Sequence, residues 1–269
     1  MGSADDVDLS VPSVARVYDY FLGGAHNFPV DREMARQVIA AQPDVMRIVA
    51  QNRLFLQRAV RFLGQQGIRQ FLDIGSGIPT VGATHEVARA AGPGSRVVYV
   101  DLDPVALAHS ATVLDGQSDA IIIDRDLRRP GELLADPELH RLLDLDQPIA
   151  ILVLSLAHFL SDTDQPATIF STLRDACAPG SYLAVSAASR DDNETVAAEV
   201  EGVYARTAEP MYFRTRDEFA SLYFPGYDLV EPGLVRVPLW RPASPADTGT
   251  DPEHFPGYAG VGRLAGAVR

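Results

Sequence analysis

The spacing of apolar and polar residues divides the chain into two regimes. In the first, Val14, Val17, Tyr18, Phe21 and Leu22 fall at i, i+3, i+4, i+7 and i+8, one face of a helix that begins near Ser13 and is stopped by Gly23-Gly24. A turn-rich link through His26 and Asn27 leads to a second helix, expected to be capped by Asp31, with Met34, Ala35, Val38 and Ile39 on one side. Pro43 interrupts it. A long third helix from about Asp44 sets Val45, Ile48, Val49, Asn52, Leu56, Ala59, Val60 and Leu63 on a stripe that ends at Gly64 to Gly67. These helices predict a lid, a second small layer or an interaction surface.

From Phe71 the pattern changes to short aliphatic runs alternating with helices, which predicts βαβ units around a parallel sheet. Strands are expected at 71–74, 97–100, 121–123, 149–154 and 182–186, with helices at about 81–91, after Pro104, around Leu139 to Leu143 and at 165–176. The run 149–154 is the most continuously apolar and is expected at the centre. A helix over 192–208 follows, and Thr215 with Glu218 forms a capping box for another. The runs 227–231 and 234–241 are separated only by Pro232-Gly233, which predicts an antiparallel hairpin. Beyond Pro242 the chain is rich in Gly, Pro and Asp and reads as a tail that is disordered or ordered on contact. The expected organisation is an arm and helical cap at 1–66, an α/β core at 67–242 and a tail at 243–269.

Composition narrows the function. With 269 residues and 46% apolar content the chain can bury a substantial core. A formal charge of -13 argues against a broad nucleic-acid surface, which would need clustered Lys and Arg. The single cysteine, Cys177, precludes an intramolecular disulfide and suits a reducing cytoplasm; its place in an apolar helix pattern favours a buried thiol over a nucleophile. The acidic, polar start lacks the pattern of a signal peptide, and no run of about eighteen apolar residues predicts a membrane span.

The candidate chemistry centres on Asp73-Ile74-Gly75-Ser76-Gly77-Ile78-Pro79-Thr80, a strand end followed by a glycine turn. At the C-terminal edge of a parallel sheet such a turn offers backbone amides and a bare surface to a nucleotide-like ligand. A dinucleotide fingerprint needs a third glycine where Thr80 stands. No Gly-Lys-Ser or Gly-Lys-Thr follows for a phosphate loop, and Ser76 is offset from a Gly-x-Ser-x-Gly elbow. A ligand with a ribose and an adenine but no pyrophosphate remains. Asp101, at the next strand end with Leu102 and Asp103 beside it, is positioned for ribose hydroxyls, and Asp126 with Leu127 for the edge of the base. Asp103 is read equally as a helix cap with Pro104 at the first helical position.

At this point the chain resembles the class I S-adenosylmethionine-dependent methyltransferases, and within them an actinobacterial family of unassigned substrate. The likeness is carried by Pro12 to Tyr20, Leu22-Gly23-Gly24 with Asn27-Phe28 and Asp31-Arg32, the glycine turn through Thr80, Val100-Asp101 with Asp103-Pro104, and Pro232 to Val235 with Trp240-Arg241-Pro242. The resemblance implies a Rossmann-like fold with a seven-stranded, mainly parallel sheet whose last strand is antiparallel, preceded by helices. It implies S-adenosylmethionine as cofactor and S-adenosylhomocysteine as product, with Gly75, Ser76 and Gly77 close to the cofactor, Asp101 on the ribose, and Asp126 and Leu127 around the adenine. Ser155, just past the central strand, joins this set. The Asn/Asp-Pro-Pro-aromatic signature of amino-directed nucleic-acid methylases is missing, since Ser155-Leu156-Ala157-His158 occupies its place.

Direct displacement from a sulfonium needs alignment and dryness, and a base only when the acceptor is protonated. His158 is the candidate base or acceptor contact, with packing as the plain alternative; His26 and Tyr20 are weaker candidates. Arg16, Asp19 and Asp73 could meet the charged amino-acid end of the cofactor, or in the case of Arg16 and Asp19 simply pair with each other. No metal-ligand spacing is present. The expected function is methyl transfer to a small-molecule acceptor, with a non-catalytic cofactor-binding regulator as the alternative. Homo-oligomerisation is left open.

Overall fold

A computed structural model describes residues 10–79 and 82–266. Thr80 and the helix start expected near Val81 lie outside the described residues, as does most of the expected arm. Three helices, α1 (Val14–Phe21), α2 (Pro29–Ala41) and α3 (Val45–Gln65), precede the first strand. The α2 start differs from expectation. Phe28 is the cap residue and Asp31 stands at the third helical position, its carboxylate accepting from the Phe28 and Ser13 amides at 2.8 and 3.0 Å.

Five parallel strands follow, β1 (Gln70–Ile74), β2 (Arg96–Asp101), β3 (Ala120–Asp124), β4 (Ala150–Leu154) and β5 (Tyr182–Ala188), interleaved with α4 (Thr84–Ala91), α5 (Pro104–Val113), α6 (Pro130–Leu134), α7 (Pro137–Leu142) and α8 (Pro166–Asp175). Helices α9 (Glu194–Tyr204) and α10 (Arg216–Tyr223) lead to the edge strands β6 (Tyr227–Leu229) and β7 (Val235–Arg236), and β8 (Gly257–Leu264) closes the sheet. The order is β3-β2-β1-β4-β5-β8-β6, with β7 also on β8. β4 is central, as its aliphatic run predicts.

Two expectations fail together. The Pro232-Gly233 link does not reverse the chain: β6 and β7 do not pair with each other, and both run antiparallel to β8, so the link is a detour within one interrupted edge strand. Counting β6 and β7 as that single edge gives seven strand positions, with β8 the antiparallel one. The segment read as a tail supplies this strand, inserted between β5 and β6. Its glycines are what allow it. A Cβ on Gly260 or Gly262 would lie 3.1 or 3.0 Å from the Phe224 ring, so bare backbone lets that buried ring pack close against the strand.

One face of the sheet buries Leu72, Val98, Ile151, Phe170 and Phe219 under α6, α7, α8 and α10. The other buries Phe55, Phe71, Leu152 and Trp240 under α3 and α4. Arg58 of α3 fixes the segment after β7 by donating to the carbonyls of Trp240 and Val237 at 2.8 and 2.9 Å. A third cluster, including Val17, Phe21, Met34, Val38, Val49, Val200 and Tyr204, joins α1, α2 and α9 into a cover above the C-terminal ends of the strands.

Candidate active site

The floor of the site is formed where β1, β2 and β3 end. Gly75 and Gly77 have φ of +70° and +63°, a region costly for any residue with a Cβ. Their surroundings differ. A Cβ on Gly75 would lie 2.5 Å from Leu156, whereas one on Gly77 would meet nothing within 4 Å, so Gly77 is the bare position that faces the cavity. Asp101 Oδ2 accepts the Gly77 amide at 2.7 Å, and Oδ1 accepts the amides of Leu102 and Asp103, both at 2.9 Å. Burial pushes the Asp101 pKa up, and these amide bonds oppose it.

Asp103 caps α5 through Oδ1, accepting from Val105 and Ala106, while its Oδ2 lies 3.6 Å from Arg16. Asp73 is buried and accepts from the Thr84 hydroxyl at 2.6 Å. Burial pushes its pKa up to about 6, opposed by the Thr84 bond and the Arg53 charge. Past the end of β3, both carboxylate oxygens of Asp126 accept from Arg128 and Leu127 is buried, while Leu102, just past β2, stands 41% exposed and leaves an apolar edge.

A cavity of about 600 Å³ lies over this floor, within the roughly 300–1,000 Å³ range of small-ligand sites. Its cover is pinned by Arg16, which donates to Asp31 at 2.9 Å and to the Val11 carbonyl at 2.6 Å. At the ends of β4 and β5 the wall carries a chain of neutral polar groups. The Ser155 amide donates to Ser186 Oγ at 3.1 Å, the Ser186 hydroxyl to Asn52 Oδ1 at 2.5 Å, and Asn52 Nδ2 to the Tyr18 oxygen at 3.0 Å. Ser155 itself has φ of +53°, a strained conformation held at this wall. Beside them His158 is buried, and its Nδ1 accepts the Ala188 amide at 3.1 Å. Burial pulls its pKa down to about 3, so the ring is neutral and, with Nδ1 engaged, carries its hydrogen on Nε2.

The cavity thus gathers Arg16, Asp73, Gly75, Ser76, Gly77, Asp101, Leu102, Asp103, Asp126, Leu127, Ser155 and His158. Asp19, Tyr20 and His26 stand elsewhere. Asp19 accepts from the His26 amide and the Asn27 side chain and so organises the turn after α1. Tyr20 packs within the cover, and the His26 ring lies against His109 with centroids 3.9 Å apart. Of the two roles expected for His158, base or acceptor contact, the geometry favours the contact, because the Nδ1 lone pair is engaged by a backbone amide while Nε2–H remains a donor. Tyr18, Asn52, Arg53, Ser186 and Glu209 line the cavity without having been singled out for it. A polar Asn52 on an apolar helical stripe was the one signal. Cys177 is a packing residue, its thiol pushed up to about 12 by burial.

Bare glycine, a carboxylate tethered by three amides and two leucines fit a nucleoside without phosphates, and relatives decide which. The sequence matches the S-adenosyl methyltransferase family over residues 1–265. The chain belongs to that family. Among solved structures, this S-adenosyl methyltransferase is similar to a methyltransferase candidate from Thermobifida fusca YX, at 38% identity, covering 96% of this chain and 97% of that one, with a TM-score of 0.90. It is also similar to a DUF574 family protein from Streptomyces avermitilis MA-4680, at 37% identity, 95% and 98% coverage and a TM-score of 0.90. An S-adenosylmethionine-dependent methyltransferase from Mesorhizobium loti shares the fold, at 15% identity, 77% and 95% coverage and a TM-score of 0.51. No curated protein matches the chain. The family's cofactor is S-adenosylmethionine. Among the described residues no group of three or more His, Cys, Asp or Glu side chains could hold a metal ion, and no helix is long and apolar enough to cross a membrane.

Proposed function

We propose that this S-adenosyl methyltransferase transfers a methyl group to a small molecule held under the helical cover. The observation that carries this reading is the continuous cavity that runs from the Gly77–Asp101 floor to the Tyr18–Asn52–Ser186 wall. When bound, S-adenosylmethionine supplies a methyl carbon made electrophilic by its sulfonium. Asp101 accepts a ribose hydroxyl: its carboxylate has about four lone-pair sites, three of them taken by amides, and the remaining one is on Oδ2. Leu102 and Leu127 flank the base, and Asp126 accepts from its exocyclic amine. Asp73 offers its negative charge to the ammonium of the amino-acid end.

The cover keeps water from the reacting atoms and limits the acceptor to a size that fits beneath α1, α3 and α9. The net charge of -13 supports a small acceptor over a nucleic acid, and the single free cysteine, Cys177, supports a cytoplasmic setting. The test is calorimetry with S-adenosylhomocysteine. One site per chain is expected. A chain that binds neither S-adenosylhomocysteine nor S-adenosylmethionine would remove the proposal.

A further inference from the structure

The wall formed by α1, α3 and the ends of β4 and β5 constrains what can be methylated, given the cofactor reading above. Its hydrogen bonds run in one direction, from the Ser186 hydroxyl to Asn52 and from Asn52 to the Tyr18 oxygen. Tyr18 therefore receives a bond from Asn52, and its own proton has the Ser155 side chain and, at 3.5 Å, the Val49 carbonyl as partners that a more basic oxygen in the cavity would displace. The positive charge of Arg53 acts on the same hydroxyl. Around it the cavity is apolar and in part aromatic, with Phe21, Val49, Phe159, Tyr204 and Met211. A donor and a nearby cation in an apolar chamber fit an anionic oxygen.

An amine is a poor fit for the same place. Its nitrogen has one lone pair, which cannot both accept from Tyr18 and attack a methyl carbon, whereas an oxyanion has a pair for each. Among the described residues this wall also offers no base. His158 spends Nδ1 on the Ala188 amide. The carboxylates that line the cavity are engaged elsewhere: Asp73 by Thr84, Asp101 by three amides, Asp126 by Arg128, and Asp164 by the Ser161 amide and hydroxyl. Asp103 caps α5. Glu209 has Arg128, Asp101 and Asp103 as its charged neighbours, which sets it at the nucleoside end.

We infer that the acceptor is a phenol- or enol-type hydroxyl on an apolar ring, bound as its oxyanion against Tyr18, and that its proton goes to water before transfer. A lone pair of the oxyanion forms the new bond to the methyl carbon as the carbon–sulfur bond breaks; the bonding pair stays on sulfur, leaving a neutral methyl ether and a thioether. Tyr18 orients the oxygen and does not exchange its proton.

The experiment first establishes S-adenosylhomocysteine binding to the full chain by calorimetry, then follows its release from S-adenosylmethionine with 4-nitrophenol, methyl 4-hydroxybenzoate, benzylamine and benzoate as probes. Turnover is expected with the two phenols. The pH at half-maximal kcat/KM should move with each phenol's own ionisation, because no side chain sets it. Tyr18→Phe should lower kcat/KM about 10- to 100-fold, the worth of a hydrogen bond to a charged group, while S-adenosylhomocysteine still binds. Use of benzylamine or benzoate with both phenols silent overturns the inference, as does silence from all four probes on a chain that binds S-adenosylhomocysteine. So does a midpoint that is the same for both phenols and disappears in Glu209→Gln or His158→Gln. Failure to bind S-adenosylhomocysteine at all would instead remove the cofactor reading beneath it.

Discussion

At the nucleoside end of the cavity, Asp101 is held by amides one, two and 24 positions away in the chain. At the opposite end, Asn52 reaches Tyr18 across 34 positions and Ser186 across 134. The first set is fixed as soon as β1 and β2 pair, so it is preorganised by the sheet alone. The second exists only when α1 and α3 have closed on the ends of β4 and β5. On the proposed reading, a floor built this way is complete without the cover, whereas the acceptor wall is made only where the cover packs on the sheet.

The largest test of that division is Arg16→Met. It leaves Asp31 buried without its cation and should cost about 3–5 kcal/mol of stability, read by urea denaturation. Hydrogen exchange should quicken first in α1 and α2 with β1 and β2 still protected. Equal loss of protection in both would mean that cover and floor are one unit. Gly75→Ala comes next. Its positive φ and a Cβ 2.5 Å from Leu156 together should cost about 2–4 kcal/mol, against roughly 1–2 for Gly77→Ala, where only the φ is at issue. Thermal melts that rank the two alike would show that Leu156 yields.

Asp73 sharpens the comparison through pH. Its folded pKa is raised from 3.8 to about 6, so its contribution to stability is full below about pH 4 and is lost as the pH rises through 6. Relative to Asp73→Asn, the natural protein should lose about 2–3 kcal/mol between pH 4 and pH 7 in denaturation curves. A flat difference would mean that Asp73 is charged at both pH values. The smallest effect is expected for Asp101→Asn, about a 10- to 100-fold weaker S-adenosylhomocysteine affinity by calorimetry, with α1 and α2 exchange unchanged. Faster exchange in the cover would tie the two ends together.

The same contrast explains what could be read from the sequence. Gly77, Asp101, Asp103 and Leu127 declare themselves because strand, turn and helix cap are contiguous and each imposes a recognisable residue type. Tyr18 reads as a core aromatic on a helical stripe, and only Ser186 and Asn52, brought up from distant segments, turn its hydroxyl toward a cavity. Glu209 lies in a loop with no periodicity to announce it. The edge of the sheet misleads for a related reason. Pro232-Gly233 has the spacing of a hairpin, but a better partner, β8, arrives later in the chain. That partner is hidden by its own glycines, which weigh toward disorder when read by composition and toward close packing once Phe224 is known to lie on them.

The placement of β8 also sets an order of assembly during synthesis. Ser186 pairs with Ala259 and Ala188 with Gly257, so the rim of β5 that carries the acceptor wall has no neighbour on that side until residues 257–264 leave the ribosome. Until then the nascent sheet presents an open seam of unpaired amides and carbonyls, the kind of edge that recruits chaperones or other strands. The floor at Gly77 and Asp101 can form once β1 and β2 have paired; the rim of β5 waits for residues 257–264.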